Sequence, residues 1–253
     1  MRAALGLALA AALLLGGGVP AAAEPALTVF AAADLAFAFR ELQPRLEQEL
    51  GGKVSLVLGS TGNLTRQIEH GAPADVFFAA DQRFVDRLAA QGLVIPETRT
   101  LYAQGRLVLV TAQGAGPAVT DLRDLLAPAI RHVALANPLH APYGKAAEEA
   151  LRRLGLWDAL KPKLVYGENV QHALQFVQTR AAEAGILALS VALGAGIAWV
   201  PVDPALHAPL DQAAAVLRRS ARPELGAACL RFMTGPEGRA VMKRYGFRLP
   251  GEF

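Results

Sequence analysis

Three stretches of the chain place small, hydroxyl or amide residues where a buried apolar run gives way to a helical pattern: Ala31-Ala32-Ala33-Asp34, Gly59-Ser60-Thr61-Gly62-Asn63, and Asn137 to Tyr143. A helix that opens at such a point presents backbone N–H groups without intrahelical partners at the positive end of its dipole. Groups of this kind hold anions without any cationic side chain. Asp34 and Ser60 or Thr61 are also favoured helix N-caps, and one residue can fill both roles. Nucleophilic catalysis has less support. Leu58 stands where a G-x-S-x-G motif around Ser60 would need glycine, and no Walker loop or G-x-G-x-x-G follows a strand. A hydrolase built from Ser60 with His140 or His172 is the enzymatic alternative. The five histidines show no H-x-x-x-H spacing and have no cysteine companions, which argues against a zinc site.

The elements that must position these loops follow from hydrophobic periodicity. Leu27 to Ala32 reads as a buried strand, and Leu35, Phe39, Leu42, Leu46 and Leu50 form the stripe of an amphipathic helix ending at Gly51-Gly52. Further strands are predicted over Val54 to Leu58, Asp75 to Ala79, Arg106 to Thr111, His132 to Ala136, Lys163 to Tyr166 and Gly185 to Leu189. Helices are predicted over Asn63 to His70, Asp81 to Gln91, near Asp121, over Tyr143 to Leu154 and over Asn169 to Arg180. This alternation predicts an α/β fold with parallel sheets covered by helices on both faces, and the loops of interest at the strands' carboxyl ends. Trp157 and Trp199 are expected to pack in the core or between lobes.

Composition sets the bounds. With 253 residues, 53% hydrophobic and 19% charged, the chain has enough apolar content for one large or two modest globular domains. Its net charge of +3, one less once Arg2 leaves with a leader, implies no nucleic-acid surface. Arg2, the apolar run Ala3 to Leu15, the break at Gly16-Gly17-Gly18-Val19-Pro20 and Ala21-Ala22-Ala23 have the form of a secretory signal peptide over residues 1–23, with the mature chain starting at Glu24. An uncleaved anchor is the alternative, but the run is shorter than the ~20 residues of a membrane span. The one cysteine, Cys229, allows no intrachain disulfide and is expected to be a buried core residue. The absence of Cys at position 24 argues against a lipid anchor.

Val29-Phe30-Ala31-Ala32-Ala33-Asp34-Leu35, Gly59-Ser60-Thr61-Gly62-Asn63-Leu64 with Arg66-Gln67-Ile68, Gly71-Ala72-Pro73-Ala74-Asp75-Val76-Phe77 leading to Ala79-Ala80-Asp81, Leu154-Gly155-Leu156-Trp157, and Lys243-Arg244-Tyr245-Gly246-Phe247 together resemble the periplasmic molybdate-binding proteins of ABC importers, in order and along essentially the whole mature chain. The resemblance implies a type II periplasmic-binding-protein fold: two α/β lobes joined by a two-strand hinge and closing on one oxyanion. Lobe 1 is then 24–107 plus 213–253 and lobe 2 is 108–212, with crossovers near Val108 to Val110 and Ala214 to Leu217. The implied contacts are Ala33 and Asp34 in the first loop, Ser60 or Thr61 in the second, the backbone N–H groups of Tyr143 and Val170, and a fifth at Ala188. Asp34 stands where the family usually offers a serine, and Ala188 where it often offers a tyrosine hydroxyl. An ionised Asp34 would repel an anion, so its carboxylate is expected to turn away and cap the helix through Ala36 or Phe37. The resemblance further implies no enzymatic activity, no cofactor, no bare metal ion, molybdate or tungstate as ligand, an ABC importer permease as partner, and a soluble periplasmic monomer. Another oxyanion, a small carboxylate, or a role as a ligand-delivering sensory partner are the alternatives.

Overall fold

The computed structural model describes residues 27–112 and 119–253. The leader assigned to residues 1–23 lies outside the described residues. The elements in chain order are β1 (Leu27–Ala32), α1 (Ala36–Leu50), β2 (Val54–Gly59), α2 (Thr61–Glu69), β3 (Val76–Ala79), α3 (Gln82–Ala90), β4 (Thr100–Gly105), β5 (Leu107–Thr111), β6 (Val133–Ala136), α4 (Pro142–Arg153), α5 (Trp157–Leu160), β7 (Leu164–Gly167), α6 (Val170–Gln178), β8 (Ala184–Ala188), α7 (Leu189–Gly194), β9 (Trp199–Pro201), β10 (Leu210–Val216), α8 (Pro223–Thr234) and α9 (Pro236–Arg244). The predicted stripe of α1 is buried from Leu35 to Leu50, and the helix stops where Gly51 adopts a φ of 65°, a left-handed conformation that costs glycine little. The helix expected near Asp121 is a short 3-10 segment, Leu122–Leu126, closed by a capping box between Asp121 and Asp124.

Two five-stranded sheets form two lobes, in the orders β2-β1-β3-β10-β4 and β7-β6-β8-β5-β9. They are mixed rather than wholly parallel. In the first, β10 runs antiparallel to both β3 and β4; in the second, β5 runs antiparallel to β8 and β9. The sequence pattern could not show this, because β10 belongs to a sheet begun some 180 residues earlier and strand direction depends on that distant pairing. The first lobe buries one apolar face of its sheet under α1, α8 and α9, where Cys229 is fully enclosed, and the other under α2 and α3. Burial pushes the Cys229 thiol up to about 12, so it is inert packing material.

The chain passes from the first sheet to the second at Arg106, between β4 and β5, and returns through 202–209, between β9 and β10. The segments expected as crossovers therefore lie inside sheets: Val108 to Val110 pairs with β8 and β9, and β10 is already paired with β4 from Leu210. The two links are tied where Val202 N–H donates to the Leu107 carbonyl at 3.1 Å. Trp157 is buried beneath the Arg152 guanidinium, but Trp199 is half-exposed on the edge strand β9 and lines a cavity of about 410 Å³ beside the links.

Register aligns the strand ends. Leu27 lies opposite Val54 and Ala32 opposite Gly59, so β1 and β2 end level and their following loops sit side by side. In the second sheet Ala136 lies opposite Gly167, which does the same for the loops after β6 and β7. At the links, Gly105 leaves room for the other lobe: a Cβ there would stand 2.0 Å from the Tyr143 hydroxyl and 2.9 Å from Gln212 Nε2. Gly105→Ala is therefore expected to lower stability by about 1 to 3 kcal/mol, the range for an overpacked buried site, as measured by denaturant unfolding.

Candidate functional site

The level strand ends face one another across the two lobes and form a crevice. It is lined from the first lobe by Ala32, Ala33, Asp34, Gly59, Ser60, Thr61 and Ala80, and from the second by Ala141, Pro142, Tyr143, Asn169 and Val170. No lysine or arginine is among these lining residues. Six of the seven residues singled out from sequence come together here: Ala33, Asp34, Ser60, Thr61, Tyr143 and Val170. Ala188 does not. It is fully buried as the residue before α7, opposite Leu107, and its methyl side chain offers no donor.

Local sequence explains which donors remain available. α4 opens with Pro142, which has no N–H, so Tyr143 carries the first helix-start donor. Gly144 lets that turn press onto the end of β6, since a Cβ there would meet the Ala136 carbonyl at 2.0 Å. At the start of α6, the Asn169 side chain accepts from the N–H groups of Gln171 and His172, at 2.9 and 3.1 Å. The cap thus consumes the second and third N–H groups of the helix and leaves that of Val170. Ser60 precedes α2 but makes no cap bond. Its hydroxyl lies instead 2.8 Å from His140 Nδ1, and the neighbouring Gly62 N–H donates to the His140 carbonyl at 2.9 Å. Both contacts cross from lobe to lobe, as does the bond from Asn63 Nδ2 to Glu168 at 3.2 Å. Thr61 ties loops within the first lobe: its Oγ1 accepts the Ala80 N–H at 3.1 Å.

Asp34 departs from expectation. It does not cap a helix, for neither the Ala33–Leu35 turn nor α1 has a side-chain cap. The carboxyl group is instead buried between the lobes, where Oδ2 accepts from Gln212 Nε2 at 2.7 Å. Gln212 is itself fixed. Its Oε1 accepts from the Tyr102 hydroxyl at 2.6 Å, and Nε2 also reaches the Tyr143 hydroxyl at 3.2 Å. The Asp34 carbonyl accepts from the Ser190 hydroxyl at 2.8 Å, so α7 of the second lobe grips the same turn. Burial raises the Asp34 carboxyl from 3.8 to about 6; the bond from Gln212, with the Tyr143 hydroxyl and the N–H groups of the turn close by, favours the charged form and offsets only part of that cost. The hydroxyls of Tyr102 and Tyr143 are driven well above their ordinary value by burial and by Asp34, and remain protonated.

Gln212, Tyr102 and Ser190 were not among the residues singled out from sequence, and His140 was weighed there only as a base for Ser60. Gln212 did leave a signal, a polar residue within the apolar run Leu210 to Val216, and it is fully buried. Ser190 lies two positions beyond Ala188, in the first turn of α7. The pairing of Ser60 with His140 has the outline of a nucleophile and base, but burial lowers His140 from its ordinary value, and among the described residues no carboxylate is hydrogen-bonded to its ring. Nor, among the described residues, is there a cluster of three or more His, Cys, Asp or Glu able to hold a metal ion, or a helix long and apolar enough to cross a membrane.

The family model described as "Bacterial extracellular solute-binding protein" matches residues 27–248. The chain belongs to that family. Among curated relatives, the molybdate-binding protein ModA of Azotobacter vinelandii is 37% identical over 245 residues, 93% of this chain and 95% of the relative. The ModA protein of Rhodobacter capsulatus is 35% identical over 95% of this chain and 94% of its own length. The solved structure of the periplasmic molybdate-binding protein from Azotobacter vinelandii superposes with a TM-score of 0.82 at 31% identity, covering 88% of this chain and 99% of that one. The sulfate-binding protein SubI of Mycobacterium tuberculosis, at 17% identity and a TM-score of 0.75, shares the fold. The two-lobed solute-binding fold is thus established, and this member is a transport-type binding protein rather than an enzyme.

Two outcomes follow from the site. A Cβ on Gly62 would stand 2.8 Å from the His140 carbonyl, so Gly62→Ala is expected to hold the lobes apart. Small-angle scattering should give it a larger radius of gyration than the parent chain under conditions that close the parent. The second concerns pH. Asp34 binds its proton more tightly folded than unfolded, so stability falls as pH rises from about 4 to 6 and stays lower above that. Asp34→Asn lacks this charge and should exceed the parent's stability at pH 8 by up to about 3 kcal/mol, with the gap closing below about pH 4, in unfolding curves across that range.

Proposed function

We propose that this solute-binding protein captures molybdate or tungstate between its lobes and delivers it to the permease of an ABC importer, acting as a soluble monomer in the periplasm once residues 1–23 are removed. The observation that carries the reading is the convergence of uncommitted N–H donors from both lobes on a crevice whose lining residues include no cation: Ala33 and the second-loop residues from one side, Tyr143 and Val170 from the other. The printed names of the relatives support it, and one of them, from Bacillus subtilis, is described as a putative ABC transporter substrate-binding lipoprotein, 29% identical over 87% of this chain. The assigned contacts are Ala33, Asp34, Ser60, Thr61, Tyr143 and Val170, with Ala188 retained only as packing behind the site.

Energetically the scheme is sufficient. Hydrogen bonds to a charged group contribute roughly 1.5 to 3 kcal/mol each. Five of them supply roughly 7 to 15 kcal/mol, which matches the ~8 kcal/mol of micromolar affinity at the low end and at the high end leaves a surplus for ordering the lobes. Neutral donors also avoid a fixed positive charge that would attract anions indiscriminately. The His140 ring serves this arrangement: with Nδ1 protonated it donates to Ser60 Oγ and frees the hydroxyl proton for an anion oxygen. A second reading keeps the crevice and exchanges the ligand for another oxyanion or a small carboxylate, favoured by the carboxyl group of Asp34 and the missing donor at Ala188.

Titration calorimetry of the mature chain against molybdate, tungstate, sulfate, phosphate and small carboxylates decides between the two. The proposal expects one molybdate or tungstate per chain and no turnover; tighter binding of a carboxylate moves the assignment to the second reading. Ser60→Ala should weaken molybdate binding by about 1 to 3 kcal/mol, the loss for one bond to a charged group, in the same titration.

A further inference from the structure

The crevice that presents only neutral donors to an anion also contains a carboxyl group, and the geometry around Asp34 resolves that conflict. Oδ2 is held by Gln212, while Oδ1 is buried without a hydrogen-bond partner. The groups packed around the Ala33–Leu35 turn bring no cation to it. β4 contributes Tyr102 and α4 contributes Tyr143, both phenols that stay protonated; β10 contributes Gln212, α7 the Ser190 hydroxyl, α6 the apolar Val170, and α2 with its preceding residue the hydroxyls of Thr61 and Ser60. Farther along the crevice, His140 is bonded to Ser60, and Arg66 and Glu168 stand close enough to act on its charge. An ionised Asp34 next to a dianion would place like charges in a buried site with no cation to offset them and only neutral donors to soften the repulsion.

We propose that Asp34 binds the oxyanion as a neutral carboxylic acid: one proton is taken from solvent as the lobes close, and Oδ1–H donates to an anion oxygen. The proton balance is simple. Carboxylate, anion and one proton enter, and the complex retains all three, with the proton released when the lobes reopen. This inference rests on the oxyanion reading above and adds that capture is linked to pH at a single named group. Burial already makes the carboxyl hard to ionise without an anion, and an anion beside it adds to that effect. Asp34 then fills the donor position with an acid in place of a hydroxyl.

The test is calorimetric titration of the mature chain with sodium molybdate and with sodium tungstate, between pH 5.5 and 8, in pairs of buffers of different ionisation enthalpy. The expected result is uptake of close to one proton per anion at pH 7 and an affinity that falls with rising pH, approaching tenfold per unit above about pH 6. Asp34→Asn keeps an N–H donor in the same place and is expected to bind with no proton uptake at this site and a nearly flat pH profile. Thermal unfolding verifies that this variant is folded. If it is not, the parent's proton count decides alone. Binding by the parent without proton uptake overturns the inference while leaving the oxyanion reading intact. Equal uptake by parent and Asp34→Asn also overturns it, and assigns the proton to another group such as His140. Failure of both anions to bind the parent across the pH range removes the oxyanion reading and this inference together.

Discussion

The arrangement depends on one constraint: the crevice must hold charge with groups that carry none. Backbone N–H groups can do this only where helices begin, since elsewhere they are committed to sheets or to the helix interior. The level register of β1 with β2 and of β6 with β7 is therefore a functional requirement, because it brings several helix starts to one place. The details around each start serve the same end. Pro142 removes a donor at the first position of α4, Asn169 absorbs those at the second and third positions of α6, and the donors that remain belong to Tyr143 and Val170, which line the crevice.

The same constraint accounts for the glycines between the lobes. Gly62 and Gly105 lie at places where a methyl group would collide with the opposite lobe, and each is next to a polar contact that spans the gap. The core of the second lobe continues into Ala32, Ala33 and Ala80 of the first, so the two lobes share apolar contact beside the crevice. Selectivity among anions then becomes a matter of fit and donor geometry.

Much of this was readable in the sequence. Local signals such as the α1 stripe, the Gly51 stop and the strand-to-helix loops bring Ala33, Asp34, Ser60, Thr61 and Tyr143 to one crevice, because periodicity and capping are properties of short segments, whereas Val170 was reached only through the family resemblance. What was not readable depended on distant pairing. The antiparallel strands β5 and β10, the true position of the links, and the buried group of Asp34, Gln212, Tyr102 and Tyr143 join residues up to 178 positions apart. Asp34 shows the difference most clearly. By local rules it is a helix cap, but the glutamine returning on β10 offers a better partner, and tertiary structure overrides the local preference.

The two links between lobes have a mechanical consequence. One is the single residue Arg106, whose Nε donates to the Gly246 carbonyl at 2.8 Å, and the other is tied to it through Val202 and Leu107. For two lobes joined along so short a seam the least costly motion is rotation about the line of the seam, because sliding would have to stretch those bonds. The cargo and any docking partner are therefore coupled to the same coordinate: whatever fixes the angle on one side of the axis fixes the outline of the molecule on the other.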